Sequence, residues 1–420
     1  MRWGDDLKEN NISLEFSIKD SNQNGHSEYL SIPAFYSEYE DVMHKLRMKD
    51  IDMNQTEIRI SSCQNSPGLW CAIIKNASVD ELNFFAERVK RLSIEQAYAL
   101  SGVFKIGIKN GLYKDGIEIR DLINMTYDLD KIYVMPGIDS DKEFGETLIC
   151  AQSEEYMENM TEEELNALDA EKVGRELREK ENGTYINNTY VSIGNYQLPN
   201  VYDGIKLPDE NYPDYRLGVI QLLVTGTLTA SQSYLTGDEV WITLPINRAE
   251  CDRIAHCFGK NSITECTICG VKSSIPEINM NMLAKTTSFE TLNKIALAYM
   301  NMTNEDKIKY KAILEREIPN SAEKAIELID DIPRYELDTE VFDRGNYTRK
   351  YFGKMLPEGF NVDFIKEREF KMIGTRLMRE LDVYRTNYGF ISQNDRSLYE
   401  IVREESQEEN EEIEMGGMQM

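Results

Sequence analysis

Apolar and polar residues alternate along Glu28-Tyr-Leu-Ser-Ile-Pro33 and again along Val240-Trp-Ile-Thr-Leu-Pro245. A period of two puts successive side chains on opposite faces, so both segments read as strands, each ended by a proline that cannot donate to a ladder. After residue 78 the period lengthens. Leu82, Phe85, Ala86, Val89 and Leu92 recur at helical spacing and give one apolar face, with Glu81, Glu87, Arg88 and Lys90 expected in solvent. Ser78 with Glu81, and Ser93 with Gln96, have capping-box spacing, in which the hydroxyl and the third-position side chain satisfy open backbone N–H groups at a helix start. Thr184-Tyr-Ile-Asn-Asn-Thr-Tyr-Val191 reads as a turn feeding a strand. Strands, two short capped helices and a mixed segment predict an α+β fold.

The same order recurs about 210 residues later, and internal periodicity of this kind is read before any single element. The strand ending at Pro33 answers the one ending at Pro245, at an offset of 212. Thr56-Glu-Ile-Arg-Ile60 answers Thr264-Glu-Cys-Thr-Ile268 at 208, and Ser78 to Asn83 answers Ser288 to Asn293 at 210. Ser93 answers Thr303, and only the N-cap half of each box survives at Ser288 and Thr303. Further on, Ile138 to Phe144 answers Val341 to Tyr347 at 203, and Val173-Gly174 with Leu177 answers Ile373-Gly374 with Leu377 at 200. Asn187 and Tyr190-Val-Ser192 then answer Asn387 and Phe390-Ile-Ser392. We read two copies, 13-193 and 215-393, joined by a Pro- and Asn-containing segment 194-214. The first copy divides at about 13-75, 76-115 and 116-193. The expected architecture is an elongated tandem array of small α+β domains. The tail 403-420, with seven Glu, one Arg and Gly416-Gly417, has too little apolar surface to fold alone.

Composition changes the picture through charge. The 420 residues carry 74 Asp+Glu against 47 Lys+Arg, a net charge of -27, with an ordinary 41% hydrophobic content. Packed cores are therefore expected, and direct binding of nucleic acid through a broadly basic surface is excluded, because a polyanion would be repelled. No signal sequence opens the chain and no run approaches the ~18 apolar residues of a membrane span, so a cytoplasmic protein without membrane contact is expected. Cys63, Cys71, Cys150, Cys251, Cys257, Cys266 and Cys269 follow no framework spacing, which fits free thiols in a reducing compartment.

Catalytic constellations are thin. His26, His44 and His256 belong to no nucleophile or metal motif, and no Gly-rich phosphate loop of the required spacing occurs. Cys266-Thr-Ile-Cys269, with Cys251, His256 and Cys257 nearby, is the sharpest zinc candidate. The repeat, however, places Cys266 over Ile58 and Cys269 over Ser61, in a β-like segment where residues three apart point to opposite faces. Buried free thiols are the expectation, and neither metal, cofactor nor catalysis is expected.

Asp121-Leu-Ile-Asn-Met-Thr-Tyr-Asp-Leu-Asp130, then Met135-Pro-Gly-Ile138, Glu143-Phe-Gly145, Val173-Gly-Arg-Glu-Leu177 and Asn182-Gly-Thr-Tyr185 form a series that resembles the ArdA antirestriction proteins of conjugative elements and phages. The second copy keeps the late part as Met372-Ile-Gly-Thr-Arg-Leu377 and Tyr388-Gly-Phe-Ile391. It departs at Glu327-Leu-Ile-Asp-Asp-Ile-Pro333 and lacks the Pro-Gly loop. The resemblance implies two tandem ArdA-like units, each of three small domains, that mimic DNA and block type I restriction-modification enzymes.

Charge falls where such a mimic needs it. Residues 121-170 hold 14 acids against Lys131 and Lys142, a net of -12. Residues 1-210 carry -17, residues 211-400 carry -4 and residues 401-420 carry -6. B-DNA carries about one negative charge per 1.7 Å of axis, so a decoy for a basic DNA channel needs closely set carboxylates. The candidate partner-binding residues are Asp121, Asp128, Asp130, Asp139, Asp141, Glu143, Glu146, Glu154, Glu155 and Glu158. Expected partners are a restriction complex or another DNA-binding defence enzyme such as a CRISPR effector. The second copy, with Asp343, Arg344, Arg349 and Lys350 in the matching region, is expected to dimerise, as a homodimer or as an intrachain pseudo-dimer, or to hold a second partner. The alternatives are a solvated helical face, and a noncatalytic scaffold or regulatory protein of a mobile element whose acidity serves solubility.

Overall fold

The computed structural model describes residues 12-19, 26-64, 66-210, 212-226, 239-283, 289-341, 343-352 and 361-393. The chain is mixed α+β, with several small sheets, and divides into two compact units. Unit 1 comprises residues up to Val42 and Ile51–Leu217; unit 2 comprises Met43–Asp50 and the chain from Gly218 onward.

Unit 1 opens on strands β1 (Ile12–Ile18) and β2 (Ser27–Ile32), followed by helix α1 (Tyr36–Lys45), of which the residues from Met43 on count with unit 2, and by strand β3 (Thr56–Cys63). With β4 (Ile73–Lys75) and β5 (Ile117–Glu118) they form one sheet, ordered β2-β1-β3-β4-β5. The alternation does what a period of two dictates: Ile12, Leu14 and Phe16 are fully buried, and so are their ladder partners Ile58 and Ile60. Helices α2 (Val79–Lys90) and α3 (Ile94–Lys109) begin at Ser78 and Ser93, and both capping boxes are formed as the spacing predicts. A short helix α4 (Ile119–Met125) precedes a third module. That module holds β6 (Tyr133–Pro136), α5 (Asp141–Ala151), α6 (Glu162–Asn166), α7 (Ala170–Lys180), β7 (Gly183–Tyr185) and β8 (Thr189–Ser192), with sheet order β6-β8-β7. Asn187 and Asn188, both at positive φ, turn β7 into β8.

One expectation is corrected in α2. Leu82, Phe85, Ala86 and Val89 are buried as predicted, but Glu81 and Glu87 are also buried, only 9% and 7% exposed. Their cover is the segment 201-216, which groups with unit 1 and brings its own donors. Tyr202 donates its hydroxyl to Glu81 (2.8 Å), Tyr215 donates to Glu87, and Arg88 and Tyr127 reach Glu210 at 2.7 and 2.8 Å. Asn124 fastens the same strap, accepting from Val201 N and Tyr202 N and donating to Tyr202 O. Buried carboxylates are tolerated because each has a donor.

Unit 2 runs through a matching series. Strands β9 (Ile220–Thr225), β10 (Glu239–Leu244) and β11 (Thr267–Ser273) form a sheet ordered β10-β9-β11, with α8 (Arg248–Cys257) after β10. Helices α9 (Met280–Leu283), α10 (Phe289–Asn301), α11 (Asn304–Glu317) and α12 (Ala322–Asp330) follow. A last module holds β12 (Tyr335–Asp338), α13 (Arg344–Phe352), α14 (Glu367–Glu380), β13 (Tyr384–Arg385) and β14 (Phe390–Gln393), in sheet order β12-β14-β13. A bridging amide recurs at the same place in both units: buried Asn83 bonds Ala34 N and O at 2.9 and 2.8 Å, and half-buried Asn293 bonds Ile246 N and O at 2.8 and 3.1 Å. Thr303 caps α11 by accepting from Asp306 N, whereas Ser288 and the tail 403-420 lie outside the described residues.

A second correction concerns the cysteine segment. Ile263–Glu265 is a 3-10 turn, so the strand starts at Thr267 and not at Thr264. Ile12 pairs with Cys63, and Ile220, its counterpart opposite Leu244, pairs with Ser273, which sets the offset at 210 instead of 208. Cys266 then answers Thr56, and Cys269 is the extra residue of a bulge between Ile268 and Gly270. All seven cysteines are free, and among the described residues no group of three or more His, Cys, Asp or Glu is placed to hold a metal. No described helix is long and apolar enough to cross a membrane.

Candidate acidic interaction surface

The third module of unit 1 gathers most of the sequence-predicted acids. Strand β6 leads into Gly137, which takes a positive φ of 84° and donates its N–H to Asn188 O at 2.8 Å. Ser140 then caps α5, accepting from Glu143 N, while the Glu143 carboxylate accepts from Asp139 N at 3.0 Å. Helices α5 and α7 cross at two glycines. A Cβ on Gly145 would lie 1.8 Å from Ala170 O, and one on Gly174 would lie 1.9 Å from Asp141 O, so no larger residue fits at either contact. Ile138, Phe144, Leu148, Leu177 and Tyr190 fill the core beneath, with the rings of Phe144 and Tyr190 stacked 4.0 Å apart. An amphipathic helix that buries Phe144 and Leu148 turns Lys142, Glu143 and Glu146 outward, and these three are exposed.

The ten predicted acids do not form one set. Asp139, Glu143, Glu146, Glu155 and Glu158 are exposed in the third module, and Asp128 and Asp130 are exposed just before it. Asp128 pairs with Lys131 at 2.6 Å, Asp130 accepts from Gln96 at 2.9 Å, and Glu146 lies 3.7 Å from Lys142. Asp121 sits half-buried on α4 beside Arg120 at 3.2 Å, and half-buried Glu154 lies 3.4 Å from Lys180. Asp141 plays another part. Arg178 donates to it from Nε at 2.6 Å and from Nη2 at 3.1 Å, Tyr185 donates its hydroxyl at 2.8 Å, and Arg175 stands 3.7 Å away. The Arg178 bonds, with help from Tyr185, hold its carboxyl below the usual aspartate value against the opposing pull of burial. It fastens α5 to α7 and β7 and offers little charge to a partner.

The bases of this module are consumed internally. Residues 133-193 hold fifteen acids and five bases, a net of -10. All five bases are paired: Lys142 with Glu146, Lys172 with Asp169, Arg175 with Glu171, Arg178 with Asp141 and Lys180 with Glu154. Glu155, Glu158, Glu162, Glu163 and Glu176 are exposed and have no cationic partner among the described residues. Glu162, Glu163 and Glu176 were not among the predicted site residues, though the helical period of 170-180 would have put Glu176 on the outer face. Thr161 and Glu164 form a third capping box, and the Thr161 N–H lowers the pKa of Glu164.

In unit 2 a cavity is bounded by acids and bases that neutralise one another, Lys49 with Glu305 and Lys350 with Asp338 and Glu340, and it selects no class of ligand. In comparison with known proteins, no family model matches the chain, and no curated protein matches it.

Proposed function

We propose that the chain consists of two tandem ArdA-like units and inhibits a bacterial DNA-binding defence enzyme, a type I restriction-modification complex, by presenting the acidic third module of unit 1 to its DNA channel. It would act in the cytoplasm, without catalysis or cofactor, in the service of a phage or conjugative element. The observation that carries the reading is the unbalanced charge on a packed frame. A helix of 11 residues is about 16 Å long, over which a duplex carries about ten phosphate charges. The module built on the 11-residue helices α5 and α7 has a net charge of -10. Its bases are tied to neighbouring acids, and the surplus carboxylates are exposed. The resemblance to ArdA proteins falls on the same segment.

The test is phage plating on restricting and non-restricting cells, together with cleavage by a purified type I enzyme, with and without the protein. Stoichiometric protection that fades with added salt is expected, because exposed charge pairs are screened over about 8 Å at physiological ionic strength. Changing Glu146, Glu155, Glu158, Glu162 and Glu163 to Gln should abolish protection without unfolding the module. An unchanged restriction ratio would overturn the reading and favour a scaffold whose acidity serves solubility.

A further inference from the structure

The third modules of the two units share the order strand, two long helices, two strands, with the short α6 found only in unit 1 among the described residues, and they differ in which charge is left over. Residues 335-393 hold ten acids and ten bases, net zero, where the matching module of unit 1 is at -10. Arg349 is spent on Asp363 and Glu367, Lys350 on Asp338 and Glu340, and Arg376 on Glu380. Arg344, Lys366, Arg368, Lys371, Arg379 and Arg385 are exposed and form no ion pair among the described residues. On α14, Arg368, Lys371, Met372, Thr375 and Arg379 follow one another at intervals of one to four that keep them on a single face. The opposite face buries Phe370, Gly374 and Met378. Met372, at 55% exposure, is an apolar contact point among the cations.

We infer that the cationic face of α14 docks the acidic third module of a second copy of this chain, in a head-to-tail contact. Charge complementarity on the same frame selects this occupant: one module leaves at least five carboxylates unmatched, the other leaves six bases unmatched. A nucleic-acid duplex suits the face less well, because its charge would run on past α14 over the rest of a chain at -27, whereas the module's charge is confined to one small domain. A heterologous contact of this kind closes into a ring or continues as a chain, so association should be graded with concentration. The inference stands apart from the inhibitory reading; if both hold, the target and the second copy compete for the same acids.

Sedimentation velocity of the full chain at about 50 mM and about 1 M salt tests it, since the Debye length shrinks severalfold between them. Association is expected at low salt only. R368E/K371E/R379E and E155K/E158K/E162K/E163K change exposed side chains alone, and each should weaken association at least about tenfold, because like charges then face each other. An equimolar mixture of the two variants should associate again, since the reversed acidic face of one copy now meets the reversed basic face of the other. A wild-type chain that stays monomeric at low salt, association that survives either reversal, or failure of the mixture to associate would each overturn the proposal. Association that requires an added DNA duplex would assign the basic face to nucleic acid instead.

Discussion

Replacing Asp141 by Asn separates what holds the acidic module together from what it presents. The carboxylate accepts two bonds from Arg178 and one from Tyr185, and both ionic side chains are only 17 to 18% exposed. Hydrogen bonds to charged groups contribute about 1.5 to 3 kcal/mol each, but these share one acceptor and water can reach the site, so the net loss should be about 2 to 3 kcal/mol. That corresponds to about a 30- to 150-fold increase in local opening. Hydrogen exchange of the α5 and α7 amides in the full chain reads it directly. The pH dependence has a defined sign. Because the folded carboxyl is depressed, its contribution is fully present above the unfolded value of about 3.9 and is lost as pH falls through the folded value. Wild-type protection should therefore decline in that acid window, and D141N should already be low and flat there. The same measurement on E146Q should show no change. Protection in D141N within about threefold of wild type at neutral pH, a difference of less than about 0.7 kcal/mol, would refute the ledger.

Three further outcomes follow from the packing. N83A strands the buried Ala34 N–H and C=O and the Tyr39 hydroxyl, and should cost about 3 kcal/mol or more, whereas N293A, beside a half-buried Ile246, should cost about 1 to 2 kcal/mol; equal shifts in the denaturant midpoint would contradict this. Y202F removes the donor to one oxygen of Glu81 while Ser78 still holds the other, so protease cleavage within 201-216 should accelerate, and an unchanged cleavage rate would mean that the strap is held by its other contacts. Burial pushes the Cys63 thiol up to about 11, so alkylation at about pH 8 should modify exposed Cys71, Cys150 and Cys257 well before it, as shown by peptide mapping.

What could be read from sequence was what is local. The capping boxes at Ser78 and Ser93 close over three residues, and the alternation in β1 to β3 needs only a strand's own period, so both were legible. The burial of Glu81 and Glu87 was not, because the tyrosines that cover them lie 121 and 128 residues away. A helical wheel sorts α2 by its own composition and knows nothing of a strap. The role of Asp141 was hidden for the same reason: its partner Arg178 is 37 residues on, and in a run of acids nothing marks it apart. The two-residue error in the cysteine segment came from the short likeness of Thr56-Glu57 to Thr264-Glu265, which fold differently: the first pair opens a strand, the second lies in a 3-10 turn ahead of one.

The contrast between the two third modules bears on how charge can be exchanged without loss of fold. Phe144 stacks on Tyr190 in unit 1, and at matching positions Tyr347 stacks on Phe390 at 4.6 Å. Gly174 is answered by Gly374, but Gly145 is answered by Thr348, which is buried and donates its hydroxyl to Arg344 O at 2.6 Å. Arg344 itself stands where Asp141 stands, and buried Met378 stands where Arg178 stands. The crossing of two helices over an aromatic pair is therefore common to both modules, while the ion pair that fastens it in unit 1, Asp141 with Arg178, gives way in unit 2 to one at another place, Arg349 of α13 with Glu367 of α14 at 2.7 Å. Because the aromatic frame does not depend on the sign of the outer charges, acids and bases on the exposed faces of α5 to α7 and of α14 are free to follow the partner. Reversals at Glu155 to Glu163 or at Arg368 to Arg379 should thus report on association and target binding, and substitutions at Asp141, Gly145 or Gly174 should report on folding.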